Sequence, residues 1–217
     1  MKKLSICLFY LVIASYCWGQ NVKTVKIDKQ EWMSENLNVT TFRNGDPIPE
    51  AKTAQEFIQA GLNSKPAWCY YNNDSLNNRA YGKLYNWFAV TDPRGLAPKG
   101  FHIPSIGDWN LLTDYLGGDT LAGRKMKSPN GWTENGNGYN ASGLSCPPAG
   151  YCLQVNKLRD EGKFADLGNN GAFWSSTLFT AGVLKLGRYI FLLKTSDQVH
   201  KLNSPLTTGM SVRCIRD

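Results

Sequence analysis

The run Ser105-Ile106-Gly107-Asp108-Trp109-Asn110-Leu111-Leu112-Thr113-Asp114-Tyr115-Leu116-Gly117-Gly118 spells out a helix and both of its ends. Ser105 is placed to cap the first turn, and Asp108 stands three residues on, where a carboxylate reaches back toward the cap. Ile106, Trp109, Leu112 and Leu116 recur at the spacing of one helical face, and Gly117-Gly118 stops the helix.

The same spacing lies upstream. Tyr81, Leu84, Tyr85 and Phe88 fall at i, i+3, i+4 and i+7, which predicts a second amphipathic helix closed by Thr91-Asp92-Pro93-Arg94-Gly95. Thr53-Ala54-Gln55-Glu56 has the form of a capping box ahead of Phe57, Ile58 and Leu62, with Gly61 and Pro66 ending that short helix. Ala67-Trp68-Cys69-Tyr70-Tyr71 is a strand-like aromatic run. Val22, Val25 and Ile27, a turn at Asp28-Lys29-Gln30, then Trp32, Met33, Leu37 and Val39 read as two short strands over residues 22–45.

Downstream the pattern changes. Residues 119–172 are rich in Gly, Asn, Ser and Pro, and Asn130-Gly131, Asn135-Gly136 and Asn137-Gly138 can each turn the chain. Long irregular stretches of this kind are expected to carry function. Phe173-Trp174-Ser175-Ser176-Thr177 reads as a strand, and Tyr189 to Lys194 with Gln198 to Leu202 reads as a hairpin. Ser211-Val212-Arg213-Cys214-Ile215 is a final strand. Helices early and strands late predict an α+β fold in which the first strands join the last.

The chain has 217 residues, 42% apolar and 19% charged, which excludes a disordered polypeptide. Residues 1–19 are set apart: Met1-Lys2-Lys3 is a positive n-region, Leu4 to Tyr16 an apolar h-region, and Cys17 and Gly19 sit at −3 and −1 of a cut before Gln20. The organisation expected is a signal peptide over 1–19 and a single domain over 20–217. Export to the periplasm, outer surface or exterior follows. A lipoprotein is disfavoured, because bulky Tyr16 precedes Cys17. After removal of the leader no apolar run is long enough to span a bilayer, so no transmembrane segment is expected. The remaining 22 basic and 17 acidic residues are scattered, which argues against nucleic acid as a partner.

Four cysteines remain, Cys69, Cys146, Cys152 and Cys214. An even number in an exported chain predicts two disulfides, with three connectivities open.

Several blocks, in order, resemble the Fibrobacter succinogenes major paralogous domain family. They are Trp32-Met33-Ser34-Glu35-Asn36-Leu37-Asn38-Val39, Ala67 to Asp74, Tyr81 to Trp87, Leu96 to Ser105, Asp108-Trp109, Pro148 to Tyr151, Phe173 to Thr177 and Ser211 to Cys214. The resemblance covers roughly residues 22–217. It implies an exported protein of Bacteroidota or Fibrobacter-type bacteria and no particular activity. Its end pattern is also similar to the C-type-lectin-like fold shared with formylglycine-generating enzymes. That implies two amphipathic helices, short twisted antiparallel strands and long Gly/Asn-rich loops. Cys146 and Cys152 depart from the family pattern. The resemblance therefore implies that these extras pair with each other, and Cys69 with Cys214.

The function expected is non-catalytic binding or surface interaction, with a polysaccharide or a cell-surface protein as partner. Trp132, Tyr139 and Tyr151, in the loop-rich region, are the candidate binding residues, because exposed aromatic faces stack on sugar rings. The 19 asparagines of residues 20–217 suit hydroxyl recognition, but turn-making is their favoured role. No cofactor is expected. Calcium is disfavoured, since Asn72, Asn73, Asp74, Asp160, Glu161 and Asp166 offer oxygens without a recognised calcium-loop pattern. Two histidines exclude a His-rich metal site, and His102 reads as structural. One alternative is an oxidase of the formylglycine-generating type using Cys146 and Cys152 through copper. Another is a structural component of the cell envelope.

Overall fold

The computed structural model describes residues 22–156 and 161–217. The signal peptide expected over 1–19, and Asp160 among the calcium candidates, lie outside the described residues. Strands β1 (Thr24–Ile27) and β2 (Gln30–Met33) form the opening hairpin, with Val25 opposite Trp32. Asp28, at φ 52°, takes the left-handed conformation that closes its turn. Helix α1 (Ala54–Leu62) starts as expected: the Thr53 hydroxyl accepts the Glu56 N–H at 3.0 Å. The Glu56 carboxylate reaches one residue further back than a capping box requires, to the Lys52 N–H at 2.8 Å.

The single helix expected from Tyr81, Leu84, Tyr85 and Phe88 does not form. β3 (Trp68–Cys69) is followed by a short α2 (Asn78–Tyr81), β4 (Leu84–Tyr85) and a short α3 (Trp87–Val90). Gly82 breaks the pattern. Its φ is +71°, and a Cβ there would lie 3.0 Å from Asn36 Cβ and 3.1 Å from the Leu37 carbonyl. Leu84 and Tyr85 then pair with Cys69 and Trp68 as strand, and the Asn86 side chain caps α3 by accepting the Ala89 N–H at 3.0 Å. The i, i+3, i+4, i+7 apolar spacing arises here from three separate elements: Leu84 and Tyr85 are buried in different clusters, and Tyr81 and Phe88 are only partly buried.

After β5 (Phe101–His102), α4 (Ile106–Tyr115) carries the complete capping box of Ser105 and Asp108. Trp109 and Leu112 are fully buried beneath it. The region read as irregular holds more structure than expected: α5 (Asp119–Met126), β6 (Ala149–Asn156) and β7 (Glu161–Leu167). The long hairpin of β8 (Asn170–Ala181) and β9 (Leu184–Leu193) follows, then β10 (Val199–Ser204) and β11 (Ile215–Arg216).

The result is a mixed α+β fold, mostly strand with few helices, and no barrel. One sheet has the order β1-β2-β11-β5, so the first strands do join the last; Ile215 pairs with both Trp32 and His102. A second sheet runs β10-β9-β8-β6-β7, and β3-β4 is a separate ribbon. Trp32 and Trp109 meet at 4.6 Å where α4 packs on the first sheet, and Trp87 meets Trp174 edge-on at 5.3 Å.

The expected disulfides are not found. All four described cysteines are free and buried. The strands place the expected partners apart: Cys146 belongs to the cluster of Trp132 and Leu144, and Cys214 to that of Tyr85 and Trp174. Cys152, on β6, faces Phe57 and Ile58 of α1, in the cluster that holds Cys69. Neither the 146–152 nor the 69–214 pair is brought together within one cluster.

Candidate functional site

The three candidate binding aromatics do not share a face. Trp132 is 5% exposed, and its indole N–H donates to Ser128 Oγ at 3.1 Å and to the Cys146 carbonyl at 3.3 Å. The buried Lys127 ammonium lies 5.2 Å from its ring centre. An exposed stacking platform at Trp132 is therefore ruled out: the Gly/Asn loop around it folds inward onto its own tryptophan. Tyr139 is exposed, with the Arg124 guanidinium 5.9 Å from its ring. Tyr151 alone lies in a concavity.

That concavity is a groove of about 240 Å³ lined by Tyr151, Leu153, Tyr189, Phe191, Thr207 and Met210, among others. Strand alternation builds one wall. On β9, Ile190 and Leu192 point into the core, so Tyr189 and Phe191 share the opposite face. Their rings meet edge-on at 5.9 Å, and Tyr151 on β6 lies 6.3 Å from Phe191. The Tyr151 hydroxyl donates to the Asp166 carboxylate. Burial, followed by that carboxylate, pushes the Tyr151 phenol well above its ordinary value, so it stays a donor. Burial raises Tyr189 as well. The other wall is the segment after β10. There the Ser204 hydroxyl donates to Thr208 at 2.9 Å, whereas Thr207 Oγ1 is buried without a partner among the described residues. Flat apolar rings beside an unmatched hydroxyl can take a ligand that is apolar on one face and hydroxylated at its edge.

A larger polar cleft of about 670 Å³ lies where the first sheet meets α2 and the 128–148 loop. Its floor is Arg213, fully buried. Arg213 Nε donates to Asn36 Oδ1 at 2.7 Å, and Nη1 to the carbonyls of Met33 at 2.9 Å and Leu144 at 2.6 Å. Nη2 reaches the Ser145 carbonyl at 3.2 Å. Asn36 in turn donates to the Tyr81 carbonyl at 2.8 Å and to Ser211 Oγ at 3.1 Å. These groups are spent on the chain itself, so the floor is scaffold rather than a set of open donors. On the rim, Asn78 Oδ1 is buried without a partner among the described residues, and Lys23 pairs with Glu35 at 2.7 Å in the open.

His102 is held by Asp217, Nδ1 to Oδ1 2.9 Å, with Asp108 3.8 Å from its other nitrogen. Of the Asn72-Asn73-Asp74 candidates, Asn73 donates its side-chain amide to the Ala51 carbonyl at 2.9 Å and Asp74 Oδ1 accepts the Leu76 N–H at 2.9 Å. Among the described residues no group of three or more His, Cys, Asp or Glu could hold a metal ion, and no helix is long and apolar enough to cross a membrane. The oxidase alternative loses the geometry it needs, because Cys146 and Cys152 sit in separate apolar clusters.

Tyr189, Phe191 and Thr207 were not legible as site residues. The one available signal was the alternation Tyr189-Ile190-Phe191-Leu192, which marks a strand with an aromatic outer face.

These features define a mixed α+β domain whose C-terminal strand completes a sheet begun at its N-terminus. The Fibrobacter succinogenes major domain model matches residues 25–216, and the chain belongs to that family. No curated protein and no solved structure matches it.

Proposed function

We propose that the protein is an exported, non-catalytic binding domain of C-type-lectin-like fold whose Tyr151–Tyr189–Phe191 groove takes a sugar unit of a polysaccharide. The observation that carries this reading is the groove itself: Tyr151, Tyr189 and Phe191 line one concavity together with Ser204 and Thr208. The leader-like pattern of residues 1–19 supports export. Tyr151 is one of the three aromatics expected from sequence as candidate binding residues. A cell-surface protein presenting the same chemistry is the related partner.

The test is binding to a panel of bacterial and plant polysaccharides by affinity electrophoresis, with Tyr189→Ala beside the unaltered protein. Loss of a packed aromatic contact weakens binding about tenfold or more, since each 1.4 kcal/mol is a factor of about ten. Equal retardation of Tyr189→Ala, with its melting temperature recorded alongside, overturns the assignment of the groove. Failure to bind any polysaccharide removes the saccharide reading.

A further inference from the structure

We infer that Cys69 and Cys152 form a disulfide when the protein folds under oxidising conditions, tying β3 to β6 beneath α1. Both side chains occupy one apolar cluster with Phe57, Ile58, Tyr71 and Leu84. The strand pairing puts them on a common face. Cys69 stands opposite Leu84, Tyr85 opposite Met210, and Cys152 opposite Gly209, so Cys69, Leu84, Gly209 and Cys152 all point toward α1. Gly209 has no side chain to intervene; a Cβ there would lie 3.2 Å from Cys152 Cβ and 2.8 Å from the Phe57 ring. Burial first, and then the neighbouring Cys152 thiol, raises Cys69 well above the usual thiol range. Cys146 and Cys214 have no thiol neighbour of this kind: each has the Arg213 guanidinium nearby instead.

Both cysteines are 0% exposed, so an oxidant must reach them before the core closes. A donor disulfide is the oxidant: oxidised glutathione in a test tube, or a disulfide-carrying thiol oxidase in the cell envelope. One cysteine thiolate attacks a donor sulfur, forms a mixed disulfide and releases one donor thiolate. The second cysteine thiolate attacks the protein sulfur of that mixed disulfide, closes Cys69–Cys152 and releases the second donor thiolate. Two electrons and two protons pass from the cysteines to the donor. Once formed, the bond is sealed in the core.

The experiment refolds the purified, reduced protein with oxidised and reduced glutathione. Alkylation and non-reducing peptide mapping follow. The expected product is lighter by two hydrogens, shows the Cys69 and Cys152 peptides joined, and leaves Cys146 and Cys214 alkylated. It melts higher than the reduced form by roughly 10 °C, given the long loop enclosed. Cys69→Ser and Cys152→Ser each abolish that difference, whereas Cys146→Ser and Cys214→Ser keep it. Four alkylated thiols, or a 69–214 or 146–152 link, overturns the inference. The mapping on the unaltered chain decides the matter even where a variant does not fold. It also requires neither ligand nor export, so it stands or falls apart from the saccharide reading.

Discussion

Replacing Arg213 with methionine removes the donor hub between the first sheet and the 144–145 segment while nearly filling its volume. The guanidinium serves four acceptors: Asn36 Oδ1 and the carbonyls of Met33, Leu144 and Ser145. None of these is a carboxylate. Burial lowers the pKa of Arg213, a sign that the site resists the charge. Two effects therefore compete. Arg213→Met relieves the desolvation of a buried cation, but it orphans acceptors that stay where they are. Each orphaned buried acceptor costs about 1–3 kcal/mol. The Ser145 contact is only part-buried, so water can replace it. Three orphaned neutral acceptors, less the desolvation relieved by removing the cation, leave a net loss of about 3–5 kcal/mol. That is a large share of an ordinary domain's roughly 5–15 kcal/mol. Arg213→Lys keeps the charge and reaches only some of the acceptors, so it loses about half as much. Urea unfolding followed by tryptophan fluorescence, with unchanged slope against denaturant, reads both values. A loss below about 1 kcal/mol for Arg213→Met, or equal losses for the two variants, would refute the reasoning.

Gly187→Ala places a Cβ 2.3 Å from the Trp87 ring and 2.6 Å from the Trp174 ring, both buried. Calorimetry should show a loss of about 1–3 kcal/mol, and an unchanged melting point would mean that the two rings yield freely. Asn86→Ala removes the acceptor of the Ala67 and Ala89 N–H groups and the donor to the Lys65 carbonyl. It is expected to lose about 2–4 kcal/mol, checked by the same urea titration. Asp119 joins Lys201 at 2.6 Å. Burial pushes its carboxyl upward, but Lys201 and then Thr113 more than offset this and hold it below its ordinary value. A folded value below the unfolded one means the contribution is complete above about pH 4 and fades as pH falls through the folded value. Asp119→Asn should therefore cost at most about 1 kcal/mol at pH 7 and less at pH 3; an equal or larger cost at pH 3 would contradict the sign.

The elements legible from sequence are those whose signals are local. Ser105, Asp108 and Gly117-Gly118 bracket α4 whatever surrounds it, and Thr53 does the same at the start of α1. The false helix over 81–88 shows the limit of periodicity. Leu84 and Tyr85 are buried because they pair with β3, and apolar spacing does not distinguish that cause from a helical face. Trp132 was misjudged because Asn and Gly around it suggested an open loop. Those residues instead serve the turns: Gly131, Asn135 and Asn140 all take positive φ. β6 and β7 were hidden for a related reason. Ala149-Gly150-Tyr151-Cys152 has too few β-branched residues to announce a strand, and neighbouring strands impose the conformation. The groove needed one fact that no local pattern carries, namely that residues 204–208 fold back across the aromatic face of β9.

The pairing of β11 between β2 and β5 governs the order of assembly. Arg213 reaches back 180 residues to Met33, and Ile215 fills the gap beside Trp32. Until those residues are synthesised, the opening hairpin has no neighbour on its inner side, and a lone two-stranded hairpin is marginal in water. At ribosomal speeds of about 5–20 residues per second, that wait lasts roughly 10–40 s. Acquisition of the native state is thus a late, concerted event rather than a vectorial one. A stop codon ahead of Ile215 would strip the first sheet of an inner strand and leave β2 and β5 without their shared partner.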